Sequence, residues 1–367
     1  MSSLWTPRSW QRTAAFTVAV ATLTALGWTG YAQAQRAERG RGELGPELHW
    51  WPVRDNVWML VGAGANVAAS IGPDGVFLVN SGEARASARV LAAVQDLQTQ
   101  LNAFDFLDGR APERGGAETR SRFPLNTHAP PKAIRYIVNT SVLPHNVGGN
   151  EALAATGVTY TGGNVAGTIG DSSVGAAVIS HENVLNRMVA ADLPFGALPT
   201  ETFFVDEYKL STFFNDEGIR IIHIPVATTD GDSLVYFRGS DVIAAGDSFN
   251  MDTFPIIDVD RGGHINGVLQ ALNTILDLAI PEFRTEGGTM VIPGHGRLAD
   301  SADVGYYRDM LTIIRDQVQS LIDQGKTLQQ VIAERPTFGY EGRFGSDSGA
   351  WTTEMFIEAV YRSLKEG

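Results

Sequence analysis

Apolar and polar positions alternate in short runs along the first half of the chain, and the runs are separated by glycine turns. Residues 57–61 (VWMLV), 67–71 (VAASI) and 76–79 (VFLV) have the β-branched and aromatic content of strands, with Gly62-Ala63-Gly64 and Gly72-Pro73-Asp74-Gly75 between them. They predict an antiparallel meander, with order starting near Leu48. From Ala84 to Leu101 the period changes: Val90, Leu91, Val94 and Leu97 recur at three- and four-residue spacing, as on one face of a helix. Residues 134–138 (IRYIV) are a nearly continuous apolar run of the kind buried on both faces, feeding a loop and then a helix from about Gly149.

The pattern then repeats. Strands are predicted at 178–180, 219–222, 233–237, 241–245 and 289–292, and helices at 181–190, 266–278, 301–324, 327–334 and 352–366. Two successive sets of strands, each followed by helices, suggest sheet packed on sheet with helices outside.

Two stretches break the pattern. Residues 104–131 mix Gly, Pro, Arg and Glu without period, and a connection that long is expected to be a mobile insertion near a site mouth. At the start, Arg8 and Arg12 precede an apolar run from Ala14 to Leu26, followed by Ala32-Gln33-Ala34. That order of features resembles a secretory signal peptide over residues 1–34, and the apolar run is too short for a membrane anchor. The expected organisation is therefore a signal peptide (1–34), a disordered lead-in (35–47), a main domain (48–300) and a C-terminal helical extension (301–367). The expected location is periplasmic or secreted.

Charge and composition narrow the chemistry. With 28 Lys+Arg against 41 Asp+Glu, the formal charge of -13 disfavours nucleic acid and anionic membrane surfaces as partners, leaving a small-molecule substrate or ligand. The absence of cysteine removes disulfides, thiolate metal sites and a cysteine nucleophile together. No Gly-x-Ser-x-Gly elbow occurs, and Gly62-Ala63-Gly64 lacks the rest of a dinucleotide fingerprint.

The segment Asn139-Thr140-Ser141-Val142-Leu143-Pro144-His145-Asn146-Val147-Gly148-Gly149-Asn150 lies at a buried strand end and opens a helix. It resembles the metallo-β-lactamase-fold hydrolase superfamily, where this segment reads Asn-Thr-His-x-His-x-Asp-His-x-Gly-Gly-Asn. Residues 75–79, 229–233, Gly246-Asp247 and Pro293-Gly294-His295-Gly296 are similar to further segments of that family, in the same order. The resemblance implies an αββα sandwich of two mixed β-sheets with helices on the outer faces. His181 of His-Glu-Asn-Val and Trp351-Thr352-Thr353 are similar to motifs of an exported branch.

The ligand positions depart from the family. Its first two histidines correspond to Ser141 and Leu143, its aspartate to His145, its third histidine to Asn146, and its next histidine to Thr228; Asn80 stands where an aspartate ends the early strand. Asp247 and His295 keep the family types. Serine, threonine and leucine cannot replace imidazole as zinc donors, so one of the two metal sites is lost. His145, Asp247 and His295, with Asn146 beside them, form the remaining candidate set for one divalent ion (zinc, manganese or iron), and His145 and Asp247 are the candidate catalytic groups. The blander reading makes them hydrogen-bonding residues at strand ends, with no ion at all. Asp230 and His181 are expected at the cleft, the first capping a loop and the second starting a helix. The implied function is an exported hydrolase-like protein with a degraded binuclear site, acting on an ester, lactone or amide with at most one metal. The alternative is a non-catalytic relative that binds a small molecule or a protein.

Overall fold

The structure, a computed structural model, describes residues 47–103, 131–159, 175–210, 213–281 and 287–366. The predicted signal peptide, nearly all of the lead-in and residues 104–130 of the predicted insertion lie outside them. Among the described residues no helix is long and apolar enough to cross a membrane.

Among the described residues seven strands form the first sheet in sequence order: β1 (His49–Arg54), β2 (Val57–Val61), β3 (Val67–Gly72), β4 (Gly75–Val79), β5 (Ile134–Val138), β6 (Ala177–His181) and β7 (Glu201–Phe203). β1 to β4 are the expected antiparallel meander, extended by one strand, and β4 to β7 run parallel. The second sheet has the order β12-β11-β10-β9-β8, from β8 (Glu207–Lys209), β9 (Ile219–His223), β10 (Ser233–Phe237), β11 (Val242–Asn250) and β12 (Met290–His295). β8 to β11 are antiparallel, and β12 joins β11 in parallel.

The helices are α1 (Ser87–Ala103), α2 (Pro144–Val147), α3 (Asn150–Ala155), α4 (Glu182–Ala190), α5 (Ile265–Leu278), α6 (Ser301–Asp323), α7 (Leu328–Glu334), α8 (Glu341–Phe344) and α9 (Thr353–Glu366). Strand alternation assigns the faces. In β4, Phe77 and Val79 point into the core between the sheets, where Phe77 meets Phe237 edge-on at 5.8 Å, and Val76 and Leu78 point outward to Val90 and Val94 of α1. On the far side, α5, α6 and α9 cover the second sheet through Leu234, Ile243, Leu272, Leu311 and Phe356. The architecture is the αββα sandwich: helix, sheet, sheet, helix.

Six strand ends converge on one edge. β4, β5 and β6 are parallel, as are β11 and β12, so the segments that follow them emerge together, as expected where crossovers return each strand in the same direction. β9 ends there too, because two antiparallel pairings with β10 set it parallel to β11.

Candidate functional site

Each side chain of the site is placed by backbone that local chemistry fixes. β4 ends at Asn80, held in the left-handed region at φ 67°, which asparagine tolerates better than most residues. Asn80 Oδ1 accepts from Thr140 N (2.9 Å) and Thr140 Oγ1 (3.0 Å), tying the loop after β5 to the end of β4. Asn139 and Asn150 exchange side-chain amide hydrogen bonds of 3.0 and 2.8 Å, and Asn150 Nδ2 also donates to Ala197 O at 3.0 Å. These buried pairs close the loop that carries Ser141 to Asn146. Gly149 permits it to lie down: a Cβ there would come within 2.3 Å of Ser81 O.

Asp247 is presented by an irregularity in β11. Gly246 has φ 53°, and a Cβ on it would sit 2.5 Å from Thr140 Oγ1. The pairing with β12 shifts at that point, which turns the Asp247 carboxylate toward the loop after β5. His295 arrives at the end of β12.

The structure brings His145, Asp247 and His295 together: one ligand atom from each lies within 4.8 Å of the others. His145 Nε2 donates to Asp247 Oδ1 at 2.9 Å, and His295 Nε2 lies 3.6 Å from the same oxygen. The two rings meet edge to face with centroids 5.2 Å apart. Asn146 Nδ2 donates to the other carboxylate oxygen at 2.5 Å and to Ser141 Oγ at 2.8 Å. His145 and Asp247 are buried, and the His295 side chain is 10% exposed. Burial alone would raise the Asp247 pKa; His145 foremost and then His295 outweigh it by charge and hydrogen bonding, holding the carboxyl well below the ordinary aspartate range.

Two imidazoles and a carboxylate are a suitable donor set for one divalent ion. Asn146 Oδ1 adds an amide oxygen beside them that is buried and meets no partner among the described residues. The other family position offers nothing comparable. Thr228 Oγ1 donates to Asp232 Oδ2 at 2.6 Å, Ser141 Oγ is taken up by Asn146 Nδ2 and Leu143 N, and Leu143 is apolar and buried.

Asp230 and His181 stand away from this trio. The Asp230 carboxylate receives Arg187 Nη2 at 2.8 Å, and its backbone oxygen receives Asn183 Nδ2 at 2.8 Å, so it ties its turn to α4. His181 caps α4, accepting from Asn183 N at 3.3 Å. It also stacks on His223, with centroids 3.6 Å apart and planes 2° from parallel. That pairing was not foreseen, because 42 positions separate two histidines that each look solitary in sequence. Burial first, and then His223, push His181 down to about 4.

A cleft of about 260 Å³ opens over His145. Leu143 and Pro144 form one wall, residues 256–261 a second, and Trp351 and α9 a third. The part played by α9 was also unforeseen: Met355, Ala359 and Arg362 share one face at helical spacing, a signal that equally describes helix packing.

Among solved structures, the chain is similar to a double mutant of the sec-alkyl sulfatase PisA1, with TM-score 0.57 and 14% identity over 86% of this chain and 50% of that one. It is similar also to the sec-alkylsulfatase Pisa1 from Pseudomonas sp., with TM-score 0.54 and 13% identity over the same shares. The chain thus spans about half the length of these relatives. A metallo-β-lactamase from Pontibacter korlensis aligns with 72% of this chain and 99% of its own at TM-score 0.47 and 13% identity. The fold is of the metallo-β-lactamase type. No protein-family model and no curated protein matches the chain.

Proposed function

We propose that this chain is a hydrolase that works with a single divalent ion held by His145, Asp247 and His295, with Asn146 as neighbouring donor, on an ester, lactone or amide. The observation that carries this reading is the convergence of the three donors, drawn from β11, β12 and the loop after β5, on one point beneath a cleft. When bound, a divalent ion supplies Lewis acidity toward a substrate oxygen. The chain's own residues do the rest. Asn146 fixes one oxygen of Asp247, leaving the other to face both imidazoles. Asn80, through Thr140, and the Asn139–Asn150 pair hold the loop against the strand ends, so that His145 needs little reorganisation. Leu143 presents hydrocarbon where the family resemblance implies an imidazole, and keeps water from that side of the cleft.

The similarity to an alkylsulfatase supports hydrolysis as a class through the fold, while the neutral residues Ser141, Leu143 and Thr228 argue for one ion rather than two. The test is turnover of chromogenic carboxylic esters and lactones by protein loaded with zinc, manganese or iron. Activity is expected to vanish in chelator, to return with the ion, and to be absent in His295→Ala. Activity indifferent to both treatments would contradict the proposal. If one ion binds and neither this panel nor chromogenic amides are cut, the binding-protein reading is favoured.

A further inference from the structure

The cleft over His145 differs from the metal trio in its chemistry, and its lining restricts what can enter. Its walls are mostly hydrocarbon: Leu143 from the loop after β5, Ile257 and Val259 from the segment after β11, and Trp351, Met355 and Ala359 from the C-terminal segment. The two guanidinium groups on its rim are already matched. Arg261 Nη1 donates to Asp258 Oδ2 at 2.7 Å, and Arg362 Nη2 donates to Asp260 Oδ1 at 2.7 Å. Glu358 adds a further carboxylate to the lining, so its charged residues total three acids against two bases. None of the lining side chains offers an anion an unmatched cation, and an anion seated among the hydrocarbon walls, away from the trio, would lose its hydration.

We propose that this cleft is a ligand pocket for a compact, neutral, apolar group, an aryl ring with a short substituent or a second ring, and that it excludes anionic ligands. The size follows from the volume: an apolar cavity of about 150 Å³ accepts benzene, and this one measures about 260 Å³. The proposal rests on the reading of the trio as the reacting end of the cleft, and it names the substrate class: neutral esters or lactones with a small apolar body, not sulfate or phosphate monoesters. It also gives the C-terminal segment a role. Trp351, Met355 and Ala359 complete a pocket that the two sheets alone leave open on one side.

Two fluorophores that share a skeleton test this directly: neutral 1-naphthylamine and its sulfonated analogue 5-amino-1-naphthalenesulfonate, titrated into the full chain as purified and again after chelation. The neutral probe is expected to saturate at one per chain and to bind at least about tenfold more tightly than the sulfonate, a difference of roughly 1.4 kcal/mol. Met355, half-exposed on the wall, can be changed without disturbing the core: Met355→Arg is expected to weaken the neutral probe at least about tenfold by placing a charge against the ligand, and Met355→Leu to leave binding intact. Circular dichroism melting confirms that both variants fold. Equal or tighter binding of the sulfonate, or neutral-probe binding that Met355→Arg leaves unchanged, would overturn the pocket. Because the walls do not include Asp247 or His295, probe binding is expected to survive chelator and His295→Ala. Absence of metal or of turnover in the untreated parent chain, with the probe still bound, would therefore count against the hydrolase reading alone.

Discussion

Asn150 shows how much the site loop rests on a few neutral amides. Its side chain is fully buried, donates to Asn139 Oδ1 and Ala197 O, and accepts from Asn139 Nδ2. Asn150→Ala removes this partner from Asn139 Oδ1 and Ala197 O, while Asn139 Nδ2 keeps Asn146 O; since each unsatisfied buried group costs about 1–3 kcal/mol, the variant is expected to lose at least about 2 kcal/mol in urea unfolding. A second expectation concerns pH. Burial lowers both His181 and His223, and His181 reaches about 4, so its ring is neutral in the folded protein while the unfolded chain takes up a proton near 6.5. The unfolded state binds more protons between those values, so this group's contribution to stability is present above 6.5 and is lost as pH falls toward 4. Asp232 acts in the opposite direction: burial first raises it to about 7 against the hydrogen bonds from Thr228 and Thr229, so its proton stabilises the fold at low pH. Comparison with His181→Asn separates the two, since asparagine can still cap α4 but does not titrate. Unfolding free energies measured from pH 7 to pH 4 should fall less steeply in the variant than in the parent chain; parallel curves would show that the stack does not titrate with folding.

At the scale of elements, the buried strands were the legible ones. β4 and β5 are apolar on consecutive positions because both faces are covered, and such runs announce themselves. β1 is hidden in the sequence because Trp51 and His49 are exposed and Pro52 interrupts the run; β7 and β8 are hidden because three-residue edge strands (Glu-Thr-Phe and Glu-Tyr-Lys) are too short to carry a period. The apolar run of β11 ends at Ala245, yet the strand continues to Asn250 with every residue buried. Its second half is polar because it enters the site, where Gly246, Asp247, Ser248 and Asn250 answer to hydrogen bonding rather than to a hydrophobic face. α9 illustrates the converse case. Phe356 stacks on Phe254 with centroids 4.6 Å apart and planes 1° from parallel, anchoring the helix against the second sheet's cover. Phe356→Ala should cost about 3–5 kcal/mol in equilibrium unfolding, and it should weaken the neutral probe as the α9 wall loosens. Wild-type stability in that variant would mean that α9 is held elsewhere.

For the whole molecule, the sandwich turns a scattered set of residues into one site. His145 and Asp247 are 102 positions apart and their side chains are 2.9 Å apart, a contact that no local pattern contains. The trio could be anticipated only because its segments occur in the same order as in a family with this fold, whereas the His181–His223 stack and the α9 wall had no such guide and needed the tertiary structure. The central claim is one divalent ion per chain, and elemental analysis of purified protein after growth with zinc, manganese and iron tests it most directly. The expected result is a single equivalent of one metal, reduced to background in His295→Ala while the circular dichroism spectrum is unchanged, because a site with so few donors cannot lose one and keep its affinity. Two equivalents per chain, or one that persists in His295→Ala, would contradict it.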